Sequence, residues 1–303
     1  MILTITPNPA IDNVYFVDKL DIGEVHRPTQ KTRTAGGKGL NVARVSSIIG
    51  EIVGAGGFLG GYNGDFIRSE VKKLGITDEF TQIKENTRDC VNMTDISTGK
   101  STEILEKGPI VTDDEVNDFF NNYTNICHNY DVISVSGSLP LGVDKSFFKR
   151  IISISKENNK KIVVDTSGDG LKTAIESKSY MIKPNKFELT EYFGHEISVK
   201  DALTEFFRLG IELPVISLGK EGCMAYVEGK FYTFSTPDIK VVNTVGSGDS
   251  FIAGCCTGFS RGYNEIDSIR LGMACGTANT QFSATGTISK ELADKFYSEI
   301  KVW

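Results

Sequence analysis

Short apolar runs rich in β-branched residues alternate along the chain with amphipathic stretches of helical length. The runs at 2–5, 53–58, 131–136, 161–166, 180–185 and 213–219 are continuous rather than alternating in polarity, which predicts strands buried on both faces. Between them, apolar residues at three- and four-residue spacing predict helices at about 38–49, 63–74, 112–124, 144–157 and 198–209. Strand-helix alternation of this kind predicts an α/β fold, a mostly parallel sheet with helices on both faces. After residue 220 the rhythm changes. The stretch "GCMAYVEGKFYTFS" reads as a hairpin turning at Glu228 and Gly229, and three helices are expected at about 248–261, 264–282 and 289–301.

Two segments break the alternation. Residues 12–34 and 87–106 read as short, polar, β-rich strands with tight turns, able to pair as a small sheet over the open end of the main body. No repeat, low-complexity segment or linker divides the chain, so residues 1–303 are expected to form a single domain carrying that lid.

Composition narrows the chemistry. At 303 residues with 40% hydrophobic and 24% charged residues, the chain has the make-up of a globular protein. A net charge of −6 argues against a broad nucleic-acid or anionic-membrane surface, so any anion must be held by local groups. The six cysteines form no C-x-x-C pair, and the three histidines lie far apart, which argues against a zinc site and a disulfide framework. The start "MILTITPNPAID" has neither a basic leader nor a long apolar run, and a cytoplasmic location is expected.

Candidate chemistry sits in two glycine-rich stretches. In "NTVGSGDS" (243–250), Gly246, Ser247 and Gly248 precede a predicted helix whose first turn carries Asp249. Such a turn gathers N–H donors at the positive end of a helix, and a carboxylate beside it suits phosphoryl transfer to a hydroxyl. An aspartate in a first helical turn also complements the helix dipole without any chemistry. In "TAGGKGLNVAR" (34–44), Gly36, Gly37 and Gly39 surround Lys38 before another helix, with Asn41 one turn in; a helix start with a solvated lysine has the same pattern. The Walker A pattern and a G-x-G-x-x-G after a strand are both absent.

Taken with "TPNPAID" (6–12), these stretches resemble the PfkB, or ribokinase-like, family of carbohydrate kinases over essentially the whole chain. The resemblance implies a ribokinase-like Rossmann-type fold, ATP and Mg²⁺ as cofactors, and a sugar acceptor. It implies Asp249 as catalytic base, with Gly246, Ser247 and Gly248 as the anion hole. Asp12, Gly36, Gly37, Lys38 and Asn41 fall on sugar-binding positions. In "KPNKFE", Lys183 and Asn185 fall on the nucleotide side, and Asn185 and Glu188 on the organisation of Mg²⁺ and water. Ser217, Gly219 and Gly222 in "SLGKEG" fall along the nucleotide, and Asn279 on the adenine pocket. Two cations in the substrate-facing segments, Lys38 and Arg88, suit a sugar that already carries a phosphate; Arg27 is a further candidate.

Within the family, "ENTRDC", "STEILEKGP" and "DTSGDGLK" look like tagatose-6-phosphate kinases. Thr244 and Pro7 depart from that branch, and 1-phosphofructokinase is the alternative. A non-catalytic sugar-phosphate and nucleotide sensor is a more remote reading. The exposed strand edges of the lid imply a homodimer, with no nucleic acid or membrane as partner.

Overall fold

The computed structural model describes residues 1–303 and contains two sheets. In chain order the strands are β1 (Ile2–Thr6), β2 (Ala10–Val17), β3 (Gln30–Gly36), β4 (Val53–Gly60), β5 (Thr77–Ile83), β6 (Arg88–Asp95), β7 (Ser101–Leu105), β8 (Val132–Ser136), β9 (Lys161–Asp165), β10 (Met181–Ile182), β11 (Leu213–Ser217), β12 (Cys223–Val227), β13 (Lys230–Ser235) and β14 (Lys301–Val302). The helices are α1 (Lys38–Ile48), α2 (Gly61–Lys73), α3 (Asp113–Ile126), α4 (Ser146–Glu157), α5 (Gly168–Glu176), α6 (Lys186–Phe193), α7 (Val199–Arg208), α8 (Ser247–Ser260), α9 (Glu265–Asn279) and α10 (Lys290–Glu299).

The large sheet runs β14-β13-β12-β11-β10-β9-β8-β1-β4-β5. It is parallel from β5 to β11, and β12, β13 and β14 extend it antiparallel. β1 and β8 are buried along their whole length, as their unbroken apolar sequence requires of central parallel strands. Two large cores follow from the two covered faces. One joins β1, β11 and β12 to α8, α9 and α10; the other packs α3, α4 and α7 on the opposite side through Phe119, Phe120, Phe147 and Phe206.

The small sheet has the order β3-β2-β6-β7. Its strands fall in the two segments that interrupt the alternation, although β2 begins at Ala10 and β3 continues to Gly36. Several expectations are corrected. The apolar runs do not predict β5: as the edge of the sheet it mixes buried Phe80, Thr81 and Ile83 with exposed polar residues. α5 and α6 were also missed, at 9 and 8 residues each too short for a clear helical period. The run at 180–185 yields only the two-residue β10, because Pro184 and the capping residue Asn185 turn the chain into α6. The last helix stops at Glu299, and Lys301 and Val302 pair with β13. The hairpin turn falls where expected, with Glu228 at φ 48° and Gly229 at φ 80°, the two positive values of a tight two-residue turn. All six cysteines are free and buried, and no helix is long and apolar enough to cross a membrane.

Candidate active site

The carboxyl ends of the parallel strands deliver Thr6, Asp165 and Ser217 to one cavity of about 1450 Å³, with Gly137 and Lys183 just beyond β8 and β10. Ligand clefts of open parallel sheets lie at this end, where neighbouring connections leave in opposite directions. The small sheet covers the cavity with Asp12, Phe16, Asn92 and Glu103, and α1 and α8 point their first turns into it.

Asp249, only 7% exposed, stands in the first turn of α8. Asn41 Nδ2 donates to its Oδ2 at 2.8 Å. Burial, reinforced by the charge of Asp165, raises the Asp249 carboxyl to about 6; the Asn41 bond, Lys38 and Lys183 act in the opposite sense. The preceding loop turns at Gly246, whose φ of 80° favours glycine. A Cβ there would lie 2.7 Å from Thr285 Cγ2 and 2.8 Å from the Gly286 nitrogen. The N–H groups of Gly246, Gly248 and Asp249 donate to no protein acceptor, and all three residues line the cavity. Ser247 differs from its expected role as a donor in that hole: its N–H is taken by the Thr244 carbonyl at 3.2 Å and its Oγ receives the Asn279 amide.

Asp165 ends β9 and holds two cations, Lys183 Nζ at 3.4 Å and Lys38 Nζ at 3.8 Å. Lys183 and Asp165 are both nearly buried, whereas Lys38 is half exposed, its ammonium raised above its ordinary value chiefly by Asp165. Asp12 faces the cavity from β2. Burial raises it to about 6 against the charges of Arg44 and Arg88. Gly36 on the paired strand leaves it room, since a Cβ there would occupy the place of the Asp12 carboxylate. Gly37 is the N-cap of α1. Arg88 lines the cavity, but Nη1 and Nη2 already donate to the carbonyls of Glu106 at 2.7 Å and Asn8 at 3.0 Å.

The expected nucleotide segments divide. Ser217, Lys183, Asn185 and Glu188 reach the cavity. Asn185 and Glu188 also cap α6 reciprocally, each accepting from the other's backbone N–H at 2.9 Å. That leaves Glu188 one uncommitted oxygen. A free carboxylate oxygen beside an amide oxygen suits Mg²⁺ carried largely by water and phosphate oxygens. Gly219 and Gly222 bound a tight turn beyond the lining, and Gly222 allows Phe234 a close approach. Asn279 is fully buried under the anion loop, where its Nδ2 donates to the Val245 carbonyl at 2.8 Å. Arg27 is exposed outside the cavity. Asp165 and Arg44, both within quoted motifs, were missed. Only the position of Asp165 at the carboxyl end of an apolar strand marked it.

The profile described as pfkB family carbohydrate kinase matches residues 6–292. A Staphylococcus aureus protein provisionally described as a phosphofructokinase has a similar structure, with 30% identity, TM-score 0.87, and coverage of 100% of this chain and 98% of that one. Phosphofructokinase-2 from Escherichia coli is similar at 25% identity and TM-score 0.93, covering 98% of each chain. A Thermotoga maritima protein provisionally described as a 1-phosphofructokinase is similar at 25% identity and TM-score 0.89, covering 100% of this chain and 99% of that one.

Proposed function

The chain belongs to the pfkB family of carbohydrate kinases, and on that premise we propose that it phosphorylates D-tagatose 6-phosphate at C1, using ATP and giving the 1,6-bisphosphate and ADP. One observation carries the proposal: a buried carboxylate with a single protein donor lies beside three backbone N–H groups that donate to no protein acceptor, at the start of α8.

Asp249 takes the proton of the acceptor hydroxyl as its oxygen bonds to the γ-phosphorus and the bond from that phosphorus to the ADP oxygen breaks. The N–H groups of Gly246, Gly248 and Asp249 receive the charge on the transferring oxygens. Asp12 and Asn41 orient the sugar, and Lys38 and Arg88 attract its existing phosphate. The two donors Arg88 has already committed hold its guanidinium still while leaving its charge toward the cavity. Asn185 and Glu188 would hold Mg²⁺ indirectly, where it would supply charge neutralisation to the nucleotide phosphates. Closure of the small sheet keeps water from the activated phosphate.

The choice of sugar is supported by the tagatose-like stretches 85–90, 101–109 and 165–172 and by the cations. Phosphorylation of fructose 1-phosphate at C6 is the second reading, favoured by the name of the Thermotoga neighbour. An ADP-release assay with tagatose 6-phosphate, fructose 6-phosphate and fructose 1-phosphate separates them, and preference for either fructose phosphate would overturn the substrate. The proposal includes a homodimer through the small sheet. Its edge strand β7 is exposed along its whole length and carries Ile104, 57% exposed. A monomer by sedimentation at micromolar concentration would exclude that dimer.

A further inference from the structure

We propose that Arg44 is a positioning residue that orients the base through Asn41 and ties that alignment to the small sheet and to the loop at 283–286. The inference rests on the reading of Asp249 as the base. Arg44 lies three residues after Asn41 on α1 and does not line the cavity. Its Nη1 donates to Asn41 Oδ1 at 3.0 Å and to the Thr285 carbonyl at 3.2 Å, and its Nη2 donates to the carbonyl of Ala35, in β3.

A guanidinium can only donate. The oxygen of the Asn41 amide must therefore face Arg44, and its NH₂ must face Asp249. A flipped amide would lose both bonds and turn a carbonyl on the carboxylate. Arg44 thus fixes which group the base meets and which carboxylate oxygen is occupied. The loop it holds also borders the anion site: Gly286 packs against Asn41, and both Thr285 and Gly286 pack against Gly246. A single fork joins the root of the small sheet, the partner of the base and the loop behind the phosphate donors. Lysine, a point charge without the planar fork, cannot hold all three acceptors in this geometry.

The charges around the base allow a test. Asp249 is faced by Asp165 from β9, Lys38 from α1 and Lys183 after β10, with Arg44 behind Asn41; Arg44 in turn is faced by Asp12 from β2, Glu70 from α2 and Asp249. Removing Arg44 takes away a cation and frees the amide, so the carboxyl of Asp249 rises further.

The experiment compares the full-length wild type with Arg44→Gln, Arg44→Lys, Asn41→Ala and the double variant Arg44→Gln/Asn41→Ala. Turnover is measured on whichever ketohexose phosphate the wild type uses, and the Asp249 carboxyl carbon is titrated by ¹³C NMR, assigned with Asp249→Asn. Arg44→Gln is expected to lower kcat about 10²-fold, as a misplaced reacting group does, to change both KM values far less, and to raise the titration midpoint. Arg44→Lys is expected to lower kcat while leaving the midpoint near the wild-type one. The double variant is expected to be no worse than Asn41→Ala alone, because the two act in series. An unmoved midpoint in Arg44→Gln, kcat of Arg44→Lys within twofold of wild type, or multiplying effects in the double variant would each overturn the proposal. Should Arg44→Gln not fold, Arg44→Lys decides by kcat. Should the wild type turn over none of the three sugars, the substrate reading fails, while the NMR midpoint still decides the role of Arg44.

Discussion

Replacing Asp249 by asparagine is expected to abolish turnover and stabilise the fold at the same time. The carboxyl lies at about 6 in the folded chain against an ordinary 3.8, which at about 1.4 kcal/mol per tenfold corresponds to about 3 kcal/mol. A group raised on folding contributes fully below its unfolded value and loses that contribution as pH rises through the folded one. Wild type therefore loses stability between pH 4 and about 6 relative to a neutral side chain of the same shape. Asparagine keeps an oxygen to accept from Asn41 and carries no charge, so the cost disappears. The gap is expected to be about 1 kcal/mol at pH 4.5 and to reach up to about 3 kcal/mol at pH 8. For a chain of 303 residues, that raises the melting temperature by up to about 5 °C at pH 8. Thermal and denaturant unfolding of both proteins at the two pH values measure the gap, and an ADP-release assay measures the activity. A general base is worth about 10²–10⁴ in rate, so turnover should fall at least 10²-fold. A mutant no more stable than wild type at pH 8 would refute the burial argument, and one retaining a tenth of the activity would refute the base.

The free enzyme's kcat/KM is expected to decline as pH falls through about 6, since Asp249 and Asp12 both gain protons there; a profile flat from pH 5 to 8 would contradict both assignments. Gly246→Ala pushes a Cβ into Thr285 and Gly286 from a φ of 80°; displacing the donor loop should cost about 10²–10³ in kcat, read by steady-state kinetics. Lys183→Met leaves the Asp165 carboxylate with the more distant, half-exposed Lys38. Breaking that buried pair is expected to destabilise the chain by about 3–5 kcal/mol in urea, and adding Asp165→Asn should restore most of it.

The parallel body was legible because its strands carry unbroken apolar runs and its long helices a clear period. β5 escaped because an edge strand has one solvated side and so a mixed pattern. The sequence Asn185-x-x-Glu188 illustrates a different difficulty. The same two residues, Asn185 and Glu188, form a capping box and face the cavity, and no local pattern separates a cap from a ligand site. The resemblance puts Asn279 on the adenine pocket, yet its amide is spent on holding Val245 and Ser247. Which way a helical side chain points depends on packing that adjacent residues do not record. The grouping of Asp165 with Lys38 and Lys183 spans 145 residues of sequence, and only the fold brings them together.

The carboxylates of Asp165, Asp249 and Asp12, the first two buried and the third half-buried, are not equivalent, and the difference bears on what the cavity accepts. Asp165 is engaged by two lysines and so serves to place their ammonium groups. Asp12 has no hydrogen bond or ion pair from the protein, and Asp249 has the Asn41 amide alone. Both are raised to about 6, the mark of carboxylates that folding has removed from water without returning equivalent partners. A ligand rich in hydroxyl groups supplies the missing donors; an apolar ligand would leave the deficit in place, and a carboxylate ligand would deepen it. On the proposed reading, the hydroxyl that meets Asp12 is held, whereas the one that meets Asp249 faces a carboxylate beside three N–H groups that donate to no protein acceptor. A polyhydroxy acceptor therefore matches the incomplete solvation of these two carboxylates, and on the proposed reading one of its hydroxyls meets Asp249 as the base.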